Sequence, residues 1–138
     1  MGMGYGAGYA DVVTENFVKK NAPKEFRLFQ KALEEFEIDI EQFASAIEFN
    51  DQNYYLESLD DPDKAEKAMP KIWKKLQKAF HINTGLNLFL GFHDSNDDGD
   101  RYDDVNGAYW CVSGAWTMTP AGKKFQRSIK RAFFVTFG

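Results

Sequence analysis

A run of oxygen-bearing side chains between residues 94 and 104 has the residue types that a hard cation needs. Aspartate or asparagine recurs at every second position from Asp94, and a glycine, Gly99, lies in the middle of the run. Calcium takes roughly six to eight oxygen ligands, and binding loops supply them from alternate positions around a sharp turn. The sequence therefore predicts a Ca²⁺ or Mg²⁺ site whose ligands would be Asp94, Asn96, Asp98, Asp100, Asp103 and Asp104.

The first six residues of this loop resemble the start of an EF-hand loop, D-x-N-x-D-G. The resemblance ends there, because Val105 stands where the EF-hand has its bidentate glutamate, and Tyr102 stands at position 9. The flanking segments read as strands, whereas EF-hands require helices. Two further interpretations stay open: a solvated loop of turn-forming residues, and an acidic contact to a basic partner or to the chain's own basic segments.

Residue types for catalysis are scarce. His81 and His93 are the two histidines and Cys111 is the one cysteine, which excludes a multi-histidine metal site and a disulfide scaffold. A Cys111–His93 pair across a hairpin is conceivable, but a thiol in an aromatic strand usually packs as a small hydrophobe. The glycines of residues 1–9 have no strand before them, so a dinucleotide fingerprint is not predicted. We therefore predict no catalytic residue.

The charges are sorted along the chain, although the formal net charge is only −4. Residues 32–63 hold eleven acids and no Lys or Arg, and residues 64–80 hold six Lys and one Glu, a balance of +5. Residues 94–104 carry six Asp and one Arg, a balance of −5, and the chain after Asp104 carries +5. Two interpretations of this segregation stay open. In the first, the charge blocks face each other within the fold or face solvent. In the second, one of the blocks is a docking surface for an oppositely charged partner.

These blocks lead us to predict a small interaction or regulatory module that binds another macromolecule or a second copy of itself. The predicted partner-binding residues are Glu34, Glu35, Glu37, Glu41, Glu48, Asp51, Lys71, Lys74, Lys75 and Lys78. Nucleic acid is not expected, since the acidic block directly precedes the lysines and no nucleic-acid motif is present. The alternative is a Ca²⁺- or Mg²⁺-dependent protein, structural or hydrolytic, that uses the loop 94–104.

Composition sets the class of protein. The 138 residues are 43% hydrophobic and 16% aromatic, which is too apolar for a disordered chain and enough for one core. No apolar run reaches the roughly 18 residues that span a bilayer, and the N-terminus lacks the pattern of a signal peptide. We expect a soluble, cytoplasmic single domain over residues 1–138, with no membrane partner and with residues 1–9 as a flexible Gly-rich arm.

Residues 10–84 are predicted to be mainly helical, because apolar residues recur every three or four positions. Asp11 should cap a first helix, and Pro23 should open a second helix in its first turn. Asp39 and Gln42 have the spacing of a capping box for a third helix.

A fourth helix is predicted to begin at Asp61-Pro62 and to end at Gly85, a left-handed cap. Pro70 lies inside this segment and should kink the helix or split it, because proline removes one backbone hydrogen bond.

Residues 85–138 are predicted to be mainly strands. Residues 86–93 alternate apolar and other side chains, residues 107–119 are rich in aromatic and β-branched types, and the two should pair antiparallel across the acidic loop. One helix is predicted at 120–131 before a last strand at 133–137, with an extended hairpin from Lys123 as the alternative. The predicted fold class is α+β, with N-terminal helices packed against a small C-terminal antiparallel sheet.

Overall fold

The computed structural model of the chain describes residues 5–93, 107–113 and 119–137, and it has the predicted α+β architecture. The helices are α1 (Glu15–Asn21), α2 (Pro23–Glu35), α3 (Ile40–Glu48), α4 (Asn53–Leu56), α5 (Pro62–Thr84) and α6 (Pro120–Lys124), followed by a short 3-10 helix, Gln126–Ser128. The strands are β1 (Tyr5–Val13), β2 (Asn87–His93), β3 (Gly107–Ser113) and β4 (Lys130–Phe137).

The four strands form one antiparallel sheet in the order β2-β3-β1-β4. The predicted pairing of β2 with β3 is confirmed, with Leu88 opposite Val112 and Leu90 opposite Trp110. These four side chains are buried, so one face of the hairpin packs on the helices, as alternation along a half-buried strand requires.

The start of the chain is where the sequence-based prediction is wrong. Tyr5–Val13 form strand β1, not a flexible arm followed by a helix capped by Asp11. Glycine has little preference for extended backbone, so the segment carries a weak local signal. Its conformation comes from pairing with β4, which runs from Tyr5 opposite Phe137 to Val12 opposite Lys130. The first helix starts later, where the Thr14 side chain accepts a hydrogen bond from the Phe17 N–H.

Most of the predicted helix boundaries are confirmed. The predicted capping box at the start of α3 is present, and in it the Gln42 side chain accepts the backbone N–H of Asp39 at 3.1 Å. Gly85 ends α5 with φ of 78°, a left-handed conformation that glycine adopts without steric cost. Asp61 precedes α5 as predicted, although its side chain makes no capping hydrogen bond. α5 runs unbroken from Pro62 to Thr84 through Pro70, so the predicted split does not occur.

The predicted helix at 120–131 is shorter than expected. The Thr119 hydroxyl accepts the Gly122 N–H, and α6 ends at Lys124, after which the 3-10 helix leads into β4 at Lys130. The apolar residues of this segment are spaced four apart, which fits both a helix and the two-residue period of a strand. Pairing with β1 makes the segment a strand from residue 130 onward.

An aromatic cluster joins the helices to the sheet. The Trp110 ring of β3 lies 5.7 Å from Phe26, 5.9 Å from Phe29 and 6.0 Å from Trp73, measured between ring centroids. Phe43 of α3 packs beside Phe29 and Trp73. Helices α2 and α5 therefore rest side by side on the sheet. No helix in the described ranges is long and apolar enough to cross a membrane.

Candidate functional site: opposite charges on the outer face of the helices

Helices α2 and α5 lie antiparallel, which places their outer faces on one side of the molecule. The Asn83 side chain near the end of α5 donates a hydrogen bond to the Asn21 carbonyl, just before α2, at 2.6 Å. Phe26 and Phe29 of α2 and Trp73 of α5 all contact Trp110 of the sheet. The residues opposite these aromatics therefore lie on the outer side of each helix. On α5, Lys74 and Lys78 also border the edge of the sheet, where they line a pocket with Asn87, Leu88 and Phe89 of β2.

Cations occupy that side. Their spacing at three, four and seven residues keeps them on one face of each helix, and every one of them is exposed. We call this set the basic face: Lys24, Arg27 and Lys31 of α2, with Lys64, Lys67, Lys71, Lys74, Lys75 and Lys78 of α5. The predicted lysines of residues 71–78 thus lie together.

The first half of α2 adds a surface depression to the basic face. A groove of about 500 Å³, the cationic groove, is lined by Pro23, Lys24, Arg27, Leu28 and Lys31. Leu28 is 48% exposed at this point, between the three cations. An apolar floor with a charged rim is the usual layout of a contact surface for another macromolecule.

Carboxylates converge at the opposite end of α2. A cleft of about 210 Å³, the acidic cleft, lies where the end of α2 meets the segment before α5. Its lining residues are Glu35, Phe36, Glu37, Ser58, Leu59, Asp60 and Asp61. Two stretches of chain more than twenty residues apart thus contribute two carboxylates each. Phe36 and Leu59 are half-buried between them.

The backbone at the rim of the acidic cleft is strained. The Ile38 N–H donates to the Leu33 carbonyl at 2.8 Å and closes the end of α2, which forces Glu37 into the left-handed region at φ of 56°. Glycine is the usual residue at such a position, because a Cβ is unfavourable there. The chain therefore holds a carboxylate at a position where its own stability would favour glycine.

The charges of these surfaces form no ion pairs with one another in the part of the chain that the structure describes. In the described ranges, no Lys or Arg nitrogen lies within 4.0 Å of a carboxylate of residues 32–63, and the lysines of α5 make no ion pair. The ion pair that is seen joins Arg131 to Asp11 in the sheet at 3.0 Å. For these residues, the structure therefore excludes the interpretation in which the charge blocks form ion pairs with each other within the fold.

The predicted acidic residues divide into separate groups. Glu34, Glu35 and Glu37 lie at or just after the end of α2, whereas Glu41 of α3 lies against Gly107 of β3. Asp51 accepts the Asn53 N–H at 3.0 Å and so helps to start α4. These positions show that the acidic stretch is one block in the sequence but several surfaces in the fold.

Glu48 is the exposed last residue of α3 and does not line the acidic cleft. Burial, reinforced by the Glu48 carboxylate, raises the pKa of Tyr109 to about 12, and burial followed by Glu48 and Asp11 raises the pKa of the Cys111 thiol to about 12. A thiol with such a pKa carries almost no thiolate near neutral pH, so Cys111 is a poor nucleophile.

The register of the hairpin also separates Cys111 from His93. His93 pairs with Gly107, and Phe89 is the residue opposite Cys111. Four residues of strand, about 13 Å, therefore lie between the two backbone positions, and a Cys–His catalytic pair is not formed.

The predicted metal ligands Asp94, Asn96, Asp98, Asp100, Asp103 and Asp104 lie outside the described residues, and the Ca²⁺ or Mg²⁺ site stays a prediction. Within the described ranges, no three side chains of His, Cys, Asp or Glu are placed to hold a metal ion.

Sequence reasoning missed several residues of the charged surfaces. Helical spacing places three cations of α2 on one face: Lys24, Arg27 and Lys31. The pattern is hard to recognise in the sequence because the acids Glu25 and Glu34 lie among and beside them. Asp60 and Asp61 were recognised as acidic but not as neighbours of Glu35, because proximity across a chain reversal leaves no local pattern.

An exposed aromatic pair was also missed. The rings of Phe49 and Tyr54 stack at 5.6 Å, and these side chains are 59% and 47% exposed. Exposed aromatic side chains are enriched where proteins contact partners.

No protein-family model, curated protein or solved structure matches this chain.

Proposed function

We propose that this chain is a non-enzymatic interaction module that binds an oppositely charged macromolecule through the outer face of α2 and α5. The observation that carries the proposal is the absence of ion pairs among the described residues of the basic face and the acidic cleft. Charges that do not stabilise their own fold remain available to a partner, and complementary potentials speed association and exclude wrong partners.

The composition of the two surfaces supports the same function. Each combines charge with apolar area at its centre: Leu28 in the cationic groove, and Phe36 with Leu59 in the acidic cleft. Apolar contact supplies affinity, while the charged rim supplies orientation and specificity. Cys111, the one cysteine, is unsuited to catalysis at neutral pH because its pKa is about 12.

Affinity capture with charge-neutral variants tests the proposal. The purified chain is immobilised beside three variants: a cleft variant (Glu35→Gln, Glu37→Gln, Asp60→Asn), a groove variant (Lys24→Gln, Arg27→Gln, Lys31→Gln) and an α5 variant (Lys71→Gln, Lys74→Gln, Lys78→Gln). A control (Glu15→Gln, Glu57→Gln, Glu66→Gln) removes three exposed charges that belong to none of these sets. We expect the captured macromolecules, quantified by mass spectrometry and nucleic-acid staining, to fall at least tenfold in one variant and to persist in the control. Equal capture by all five proteins would contradict the proposal.

A further inference from the structure

Helix α2 carries complementary surfaces at its two ends, and from this we infer the identity of a partner. We propose that a second copy of this chain docks its acidic cleft onto the cationic groove of the first. The inference rests on the proposed function and names the macromolecule that the charges bind. It assigns self-association to one contact, between the acidic cleft of one copy and the cationic groove of another.

The chemistry of the two surfaces is matched. The cationic groove offers Lys24, Arg27 and Lys31, and the acidic cleft offers the carboxylates Glu35, Glu37, Asp60 and Asp61. A guanidinium binds a carboxylate through two parallel hydrogen bonds, and lysine adds point charges on either side. The apolar residues at the two centres can meet inside this charged rim and exclude water.

The order of charges along α2 points the same way. A helix is stabilised by acids near its start and bases near its end, because its dipole is positive at the start and negative at the end. In α2 the three cations come in the first nine residues, where Glu25 is the one acid, and the last turn carries Glu34 and Glu35 with no base. The last turn therefore opposes the dipole, and an intermolecular contact to a base would relieve it.

Most of the cationic groove lies too far from the acidic cleft to meet it within one molecule. Lys24 and Arg27 precede Glu35 by eleven and eight residues, which is about 17 Å and about 12 Å along the helix at 1.5 Å per residue. Both distances exceed the Debye length of about 8 Å at physiological salt. Lys31 is one turn from Glu35, but no ion pair joins the two side chains in the described ranges. In a second copy placed end to end, the whole groove can contact the cleft.

Sedimentation velocity on the whole chain tests the contact. The weight-average mass is measured from about 1 µM to about 1 mM protein, the range in which weak protein contacts dissociate. Salt of about 0.1 M and about 1 M is compared, because the screening length falls from about 10 Å to about 3 Å. We expect the mass to rise with protein concentration at low salt and to return to that of one chain at high salt.

Mixing of variants identifies the surfaces. The cleft variant and the groove variant defined above should each remain monomeric alone, since each lacks one half of the contact. Mixed in equal amounts, they should form a 1:1 complex, because the intact groove of one meets the intact cleft of the other. A control variant (Lys19→Gln, Lys20→Gln, Lys123→Gln) removes three exposed cations outside both surfaces. It carries the same charge change as the groove variant and should associate like the wild type. Circular dichroism verifies that all variants are folded.

Three outcomes would overturn the inference. They are a wild-type chain that stays monomeric at about 1 mM and low salt, a cleft or groove variant that associates as well as the wild type, and a mixture that forms no complex. If the wild type is monomeric and binds a single-stranded DNA 20-mer that the groove variant does not bind, the groove is a binding site for a polyanion and not for a second copy. Each result refutes the self-contact, while the proposed function is judged separately by the capture experiment.

Discussion

The inner and outer faces of α2 and α5 follow different rules. On the inner face, Phe26, Phe29 and Trp73 are buried and packed ring against ring on Trp110. On the outer face, Lys24 in the first turn of α2 and Glu35 in its last turn make no ion pair, and both charges oppose the helix dipole. The inner face is thus arranged as the stability of one molecule requires, and the outer face is not.

Helix α5 shows that the difference is not a general feature of this chain. Asp61 precedes its first turn, Asp63 lies within it and His81 is in its last turn, an order that agrees with the dipole at the start. Helix α1 also follows the rule, with Glu15 in its first turn and Lys19 and Lys20 in its last. Helix α3 ends as α2 does, with Glu48 in its last turn and no base. The arrangement that opposes the dipole is thus confined to the ends of α2 and α3 among helices α1, α2, α3 and α5.

The largest effect is expected from breaking the inner face. Phe29 is fully buried and contacts Phe43, Trp73 and Trp110, so Phe29→Ala should leave a cavity and lower the free energy of unfolding by about 3–5 kcal/mol. Urea denaturation measures the change. The neighbouring Leu28→Ala, on the exposed side of the same helix, should change stability by less than about 0.5 kcal/mol. Equal losses for both variants would erase the distinction between the two faces.

A stabilising substitution is expected on the outer face. Glu37→Gly should raise the free energy of unfolding by about 1 kcal/mol, because it relieves the left-handed strain of a residue with a Cβ. Asn50→Gly is the matched control, since Asn50 has φ of 51° but asparagine tolerates this conformation better. Its gain should be smaller. If Glu37→Gly instead destabilised the chain, the side chain of Glu37 would serve the fold and not a partner.

A smaller gain is expected from reversing the charge at the end of α2. Glu35→Lys should raise the free energy of unfolding by about 0.3–1 kcal/mol at low salt, since a cation suits the negative end of the dipole. The same variant should lose self-association in sedimentation velocity. Glu15→Lys, in the first turn of α1, should instead lower stability. A stability loss in Glu35→Lys would show that this carboxylate supports the monomer.

The smallest effect at neutral pH concerns the sheet face that carries Tyr109 and Cys111. Their ordinary pKa values of 10.0 and 9.0 rise to about 12 in the fold. The native chain therefore keeps protons that the unfolded chain releases, so stability should be full below pH 9 and should fall as pH rises toward 12. Denaturation at pH 8, 10 and 11 measures the slope. The double variant Tyr109→Phe, Cys111→Ala should flatten it; an unchanged slope would assign the fall to other groups.

Local signals predicted many of the elements. The Asp39–Gln42 spacing and Gly85 mark helix ends through contacts within a few residues, and the structure places helix ends at both. The pairing of residues 87–93 with 107–113 also followed from alternation along the sequence. Strand β1 could not be found in this way, because its glycines carry no preference and its partner β4 lies more than a hundred residues away.

The site divides along the same line. The sequence alone establishes that charge is segregated, and helical spacing alone places Lys71, Lys74 and Lys78 on one face. Only the tertiary structure joins Glu35 and Glu37 to Asp60 and Asp61, separates Glu48 from this cleft, and leaves the basic face and acidic cleft without ion pairs in the described ranges. The physical reason is that spacing along a helix is fixed by covalent geometry, whereas proximity between segments depends on how buried side chains pack.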